Sequence, residues 1–192
     1  KVRTDNLNNV YETRRIEKES IYDQAAKVLQ ETGRELNLAQ KLMVVDNLRG
    51  YKTKINFSGG DPLVLDENLE LMRYAVSVFG KDLMEVSTTG VGLSKRSPED
   101  LKELITKLDF SYDATEGVYH PNRPEGYNNS NLKKASLFSK AGIHTVAETP
   151  LSVKNINKNH IFLLYENLNR AEIDEVKPMR LFPVGRCISK TN

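Results

Sequence analysis

Strand-like and helix-like runs alternate along most of this chain, and that alternation constrains the fold more than any other feature. Segments 52–58, 83–88, 108–113, 143–151 and 175–183 are short and bounded by turn residues, so each is predicted as a strand. Between them, apolar residues recur at helical spacing. Leu69, Met72, Val76 and Phe79 precede Gly80, and Leu101, Leu104, Ile105 and Leu108 follow Ser97-Pro98. Leu132, Ala135, Leu137 and Phe138 precede Gly142, and a further stripe runs from Ile161 to Leu168. A strand–helix–strand rhythm calls for crossover connections, which give parallel strand pairs covered by helices. The expected class is therefore α/β. No fixed short repeat and no low-complexity linker interrupts residues 1–192, so one domain is expected.

Local punctuation supports the helices. Asp66 is predicted as an N-cap. Ser97 is a second cap, with Pro98 in the first turn and Glu99 and Asp100 at the positive end of the helix dipole. Ile16, Ile21, Ala25, Val28, Leu29 and Leu36 fit a long first helix that Gly33 interrupts. Leu38, Leu42, Val45 and Leu48 continue a helical stripe, yet 42–45 is also a continuous apolar run and fits a strand equally well. Residues 1–13 are polar and asparagine-rich and read as a loop.

In parallel α/β folds, ligands gather at the carboxyl ends of the strands. The first such end is Ser58-Gly59-Gly60-Asp61-Pro62. Two glycines let the backbone bend sharply and let a ligand come close, because no Cβ intervenes. The carboxylate of Asp61 suits a cation such as an α-ammonium group, and Pro62 stiffens the exit. The same residues would also serve a plain strand-to-helix turn, with Asp61 as a cap. The other ends are Ser87-Thr88-Thr89-Gly90, Ser111-Tyr112-Asp113, Glu148-Thr149-Pro150 and Arg180 through Arg186. Alternation puts Asp109, Ser111 and Asp113 on one face of their strand and Phe110 and Tyr112 on the other.

Composition removes several classes. The net charge of +2, with scattered basic residues, gives no case for nucleic acid. No apolar run is long enough to span a bilayer, so no membrane partner is expected. The chain holds one cysteine, Cys187, which excludes an internal disulfide and fits a reducing, cytoplasmic setting. His120, His144 and His160 are too scattered for a metal site, so no metal ligand is expected within this chain.

The strand ends, taken in order, resemble those of the radical S-adenosylmethionine (SAM) enzymes. Gly59-Gly60-Asp61-Pro62 is similar to that family's Gly-Gly-Glu-Pro turn. Ser87-Thr88-Thr89-Gly90 and Ser111-Tyr112-Asp113 resemble its next two strand ends. Arg123, Ala141-Gly142-Ile143 and Pro183-Val184-Gly185-Arg186 follow in the family's order. The resemblance implies a partial TIM-type (β/α)6 parallel barrel, here missing its first strand. It implies SAM and a [4Fe-4S] cluster as cofactors, an external electron donor, and a peptide or small-molecule substrate such as a cofactor precursor. Gly59, Gly60 and Asp61 would hold the methionine amine, with Ser58 and Pro62 in the same cofactor-binding turn. Ser87 and Thr89 would contact methionine carboxylate or substrate, Ser111 and Asp113 the ribose hydroxyls, and Phe182 and Pro183 the adenine. The resemblance singles out no catalytic side chain in this chain.

Departures from the family pattern are part of the reading. Asp61 stands where the family has Glu, and Thr89 where it has Asn. The Cys-x3-Cys-x2-Cys cluster loop is not in this sequence, and on this resemblance it is expected just upstream of Lys1. A different reading is a cluster-less SAM- or peptide-binding module on the same scaffold. A third is a TIM-barrel hydrolase or lyase using Asp113 and Glu148 as paired carboxylates.

Overall fold

The structure is a computed structural model, and it describes residues 21–113, 126–152 and 155–180. Helix α1 (Ile21–Glu31) does not run through to Leu36. Gly33 adopts φ +66°, and the amides of Arg34 and Glu35 both return to the Leu29 carbonyl, at 2.8 and 3.0 Å. That closure satisfies the last carbonyls and ends the helix. A second helix, α2 (Leu38–Asn47), then starts on Asn37. Asn37 and Gln40 form a reciprocal capping box, each side chain accepting from the other's backbone N–H at 3.0 Å. Local capping thus decides the ambiguous run 42–45 as helix. Its helical rotation buries Val45 and leaves Met43 and Val44 exposed.

Strand β1 (Ile55–Phe57) is shorter than the expected 52–58. Helix α3 (Asp66–Phe79) follows, and here the cap differs from expectation. Leu65 occupies the N-cap with extended backbone, φ −99° and ψ 135°, and makes no side-chain cap. Asp66 is already helical, and its carboxylate meets Arg96 Nη1 at 2.7 Å. Its charge still favours the helix's positive end.

Strand β2 (Met84–Thr88) comes next, then α4 (Pro98–Leu101). Ser97 and Asp100 cap α4 reciprocally, as expected, but the helix lasts only four residues. Leu104 and Ile105 are buried in the following turn, and Leu108 belongs to strand β3 (Lys107–Ser111), so the expected four-residue helical face is split between elements. Helix α5 (Tyr127–Lys140) buries Asn131, Ala135 and Phe138, spaced four and three apart, while Leu137 is turned outward and exposed. Strand β4 (His144–Leu151), helix α6 (Lys158–Arg170) and strand β5 (Glu175–Arg180) complete the described chain. The last strand was expected to reach 183; residues 181–183 lie outside the described residues.

The five strands lie in the order β1-β2-β3-β4-β5, and every neighbouring pair is parallel. In a sequentially ordered parallel sheet, crossovers of one hand carry the connections to one side, and such crossovers are right-handed as a rule. The apolar cluster marks that side. Met84, Val86, Leu108, Phe110 and Tyr112 are fully buried there against Leu69, Met72, Leu101, Ile105, Phe138, Leu164 and Leu168. Register places a different set on the opposite side. Asn56 and Glu85 align with Lys107 and His144, Ser87 with Asp109 and Val146, and Ser111 with Glu148 and Lys177. One face of the sheet is therefore apolar and packed, and the other is largely polar and charged. Among the described residues no helix is long and apolar enough to cross a membrane.

Candidate functional site: the carboxyl rim of the sheet

The glycine turn sits at the carboxyl end of β1, where the chain leaves the sheet for α3. Gly59 and Gly60 both have positive φ, +85° and +75°, and a Cβ added at either meets nothing within 4 Å. Glycine is demanded there by conformation, and the space beside the turn is open. Ser58, Gly59 and Gly60 are exposed, whereas Pro62 is buried.

Asp61 turns the other way. Its carboxylate accepts Thr88 Oγ1 at 2.8 and 2.9 Å, Thr89 Oγ1 at 2.7 Å, the Gly92 amide at 3.0 Å and the Leu63 amide at 3.2 Å. Four donors aimed at one half-buried carboxylate make it a brace between the β1 and β2 exits. The approach is close enough that a Cβ on Gly92 would lie 2.4 Å from Leu63 Cβ and 2.6 Å from Asp61 Oδ1.

Asn131 joins the next two exits. From its buried place on α5, Nδ2 donates to the carbonyl of Thr89 at 3.1 Å and to that of Ser111 at 2.9 Å. The Tyr127 hydroxyl also donates to the Thr89 carbonyl. Gly90, at φ +94°, leaves the room: a Cβ there would lie 2.0 Å from Asn131 Oδ1. Further along, the Asp113 amide donates to Asn128 Oδ1 at 2.9 Å, and the Asp113 carbonyl accepts Asn155 Nδ2 at 3.2 Å. The rims of β1 to β4 are thus tied by side-chain-to-backbone bonds, with α5 as the common anchor for β2 and β3.

Of the sequence-predicted residues, Ser58 to Pro62, Ser87, Thr89, Ser111 and Asp113 all fall at or next to the carboxyl ends of β1, β2 and β3. Ser87 and Ser111 are half-buried on the polar face, and Ser87 Oγ accepts Asn56 Nδ2 at 3.0 Å. Phe182, Pro183, Arg123, Arg186, His120 and Cys187 lie outside the described residues. Glu148, a member of the carboxylate-pair reading, has Oε1 engaged by Lys177 Nζ at 2.9 Å.

Below the rim, the polar face carries linked charges. Lys54 Nζ is 2.7 Å from Glu85, and Lys107 Nζ is 3.2 Å from Asp109 and 3.9 Å from Glu85. The hydrogen bond from Lys54 holds the Glu85 carboxyl below its usual range. Burial pushes the Asp109 carboxyl above its usual range, although Lys107 opposes that. The hydrogen bond to Glu148 raises Lys177.

Sequence reasoning missed Asn131, Tyr127 and most of this charged face. For Asn131 a signal exists: it precedes Ala135 by four and Phe138 by seven, so it shares their buried stripe. A polar residue on a buried helical stripe is expected to bond something inside. Among the described residues, no group of three or more His, Cys, Asp or Glu side chains is arranged to hold a metal ion. No protein-family model matches the chain, and no curated protein matches it.

Proposed function

We propose that this chain is the body of a radical SAM enzyme, a partial (β/α)6 barrel whose rim binds S-adenosylmethionine. The observation that carries the reading is the glycine turn: two successive left-handed residues, exposed and with open space beside them, at the end of the first strand of a sequential parallel sheet. A backbone turn of this kind offers carbonyls and amides to the methionyl end of SAM without steric hindrance. Because four donors already engage the Asp61 carboxylate, the ammonium contact passes to the carbonyls of Ser58, Gly59 and Gly60. Asp61 and Pro62 then shape the turn and hold it. Ser87 and Thr89 meet the methionine carboxylate or the substrate, Ser111 and Asp113 the ribose, and Phe182 and Pro183 the adenine.

The chain's one cysteine cannot ligate a [4Fe-4S] cluster alone, so the reading requires cysteines from outside this sequence. When bound, that cluster supplies the electron that cleaves SAM to methionine and a 5′-deoxyadenosyl radical able to abstract hydrogen from substrate. This chain's residues bind and orient SAM and keep water from it. The electron comes from an external donor, and the reducing chemistry fits a cytoplasmic setting.

Calorimetric titration of SAM into the intact protein tests the reading. Binding is expected, and Gly60→Val should weaken it at least tenfold with the far-UV spectrum unchanged. Absence of SAM binding in the wild type overturns the reading. Binding without 5′-deoxyadenosine release under anaerobic reduction instead favours the cluster-less module, to which the single cysteine also points.

A further inference from the structure

Parallel sheets are normally covered on both faces, and their strands are apolar on both. Among the described residues, one face of this sheet is largely polar and charged instead. The face opposite the helices presents Asn56 on β1, Glu85 and Ser87 on β2, Lys107, Asp109 and Ser111 on β3, Glu148 on β4, and Glu175 and Lys177 on β5, and Lys54, just before β1, reaches Glu85 on it at 2.7 Å. Charged side chains are expensive to hold against an apolar layer and stable beside a polar one.

The signs on this face are balanced. Lys54, Lys107 and Lys177 stand against Glu85, Asp109 and Glu148, and Glu175 meets His144 Nε2 at 3.3 Å. Phosphate-rich ligands call for a surplus of cations, and acyl chains call for apolar lining. An alternating pattern complements a ligand that carries both charges a few ångströms apart.

The best-placed pair is Glu148 with Lys177. The two align directly across β4 and β5, level with Ser111 at the rim, and Nζ lies 2.9 Å from Oε1. One ammonium hydrogen and one carboxylate oxygen satisfy that contact. The remaining donors of Lys177 and acceptors of Glu148 are available to a bound molecule. Lys177 is half-exposed and Glu148 about one-fifth exposed, so a ligand can reach both. Deeper on the same face, Asp109 is only 3% exposed and is not reachable in this way.

We propose that this polar face is the floor of a substrate site for a small zwitterion, either a free α-amino acid or a dipeptide whose two termini carry the two charges. Glu148 receives its ammonium group and Lys177 its carboxylate. The proposal rests on the radical SAM reading for the reaction, and on the sheet face alone for the ligand.

The test is a binding panel on the intact protein, run with and without saturating SAM. The probes are the standard L-amino acids, their N-acetyl and amide derivatives, and dipeptides. At least one free amino acid or dipeptide should bind. Capping either its amine or its carboxylate should weaken binding at least tenfold. Glu148→Gln and Lys177→Met should each do the same while leaving SAM affinity within twofold. Free amino acids binding alone, or dipeptides alone, identifies the source of the zwitterion. The proposal is overturned if nothing in the panel binds, or if capped probes or either variant bind as the wild type does. Loss of SAM binding in the wild type alone strikes the radical SAM reading and leaves the zwitterion site standing.

Discussion

The two faces of the sheet are made from the same strands, one residue apart, and obey opposite rules. On one face Phe110 and Tyr112 are fully buried in the apolar cluster; on the other, Asp109 and Ser111 lie among lysines and carboxylates. Stability should therefore reside on the packed face and ligand chemistry on the polar one. The sharpest way to break that contrast uses neighbours. Phe110→Ala should destabilise the protein by about 3–5 kcal/mol through lost burial and a residual cavity. Ser111→Ala, next in the chain, should change stability by no more than about 0.5 kcal/mol. Denaturant unfolding with matched slopes measures both. Similar losses from the two would show that the polar face is structural.

The rim joins the faces, and Asp61 is its most connected side chain. Asp61→Ala strands the Gly92 amide and the buried Thr88 hydroxyl without their acceptor, at about 3 kcal/mol for charge-assisted bonds of this kind. Asp61→Asn keeps one acceptor and should lose about half as much. If Asp61 instead kept its carboxylate for a ligand, Asp61→Ala would weaken SAM binding with little change in unfolding midpoint. That outcome would falsify the assignment of Asp61 as a brace.

Gly90 and Asn131 offer a coupled test. Gly90→Ala forces a Cβ against Asn131 in a left-handed conformation and should cost about 1–3 kcal/mol. Asn131→Ala removes the obstacle together with the bonds to Thr89 and Ser111. In a double-mutant cycle, the Gly90→Ala penalty should shrink when Asn131 is already Ala, leaving the backbone strain. Independent, additive losses would mean that the two do not share the rim's packing.

Much of this arrangement was legible in the sequence, and the exceptions are instructive. Strand periods, Gly80, Gly142 and the Ser97–Asp100 cap are local signals, and the elements they mark are present. The N-cap at Leu65 was not legible, because Asp66 is the better capper in isolation and only the tertiary pull of Arg96 shows why its carboxylate looks elsewhere. The stripe after Ser97 misled because Leu104 and Ile105 are buried in a turn, which periodicity cannot tell from a helix. The glycine turn was visible as a pair of letters, but its open side was not. Asp61 looked free for a ligand, since its four donors come from residues 63 to 92 and converge only through the fold. The charged face was hidden by period-two alternation, which scatters its members singly along five strands.

Asp109 gives the subtlest comparison, because it is a charge on the polar face with the burial of the apolar one. Burial raises its carboxyl above the ordinary range, so the folded state holds the proton more tightly than the unfolded chain does. The sign follows from linkage. Its contribution to stability is fully present below the ordinary aspartate range and is lost as pH rises through the raised folded value. Asp109→Asn mimics the protonated form. It should unfold at higher urea than the wild type near neutral pH, and the gap should close as pH falls below the ordinary aspartate range. Lys107 retains Glu85 at 3.9 Å in that variant, so it is not left without a partner. If Asp109→Asn is instead less stable at neutral pH, the 3.2 Å contact with Lys107 outweighs desolvation. The polar face would then be held together by its own charges, and its ion pairs would be part of the fold as well as of the site.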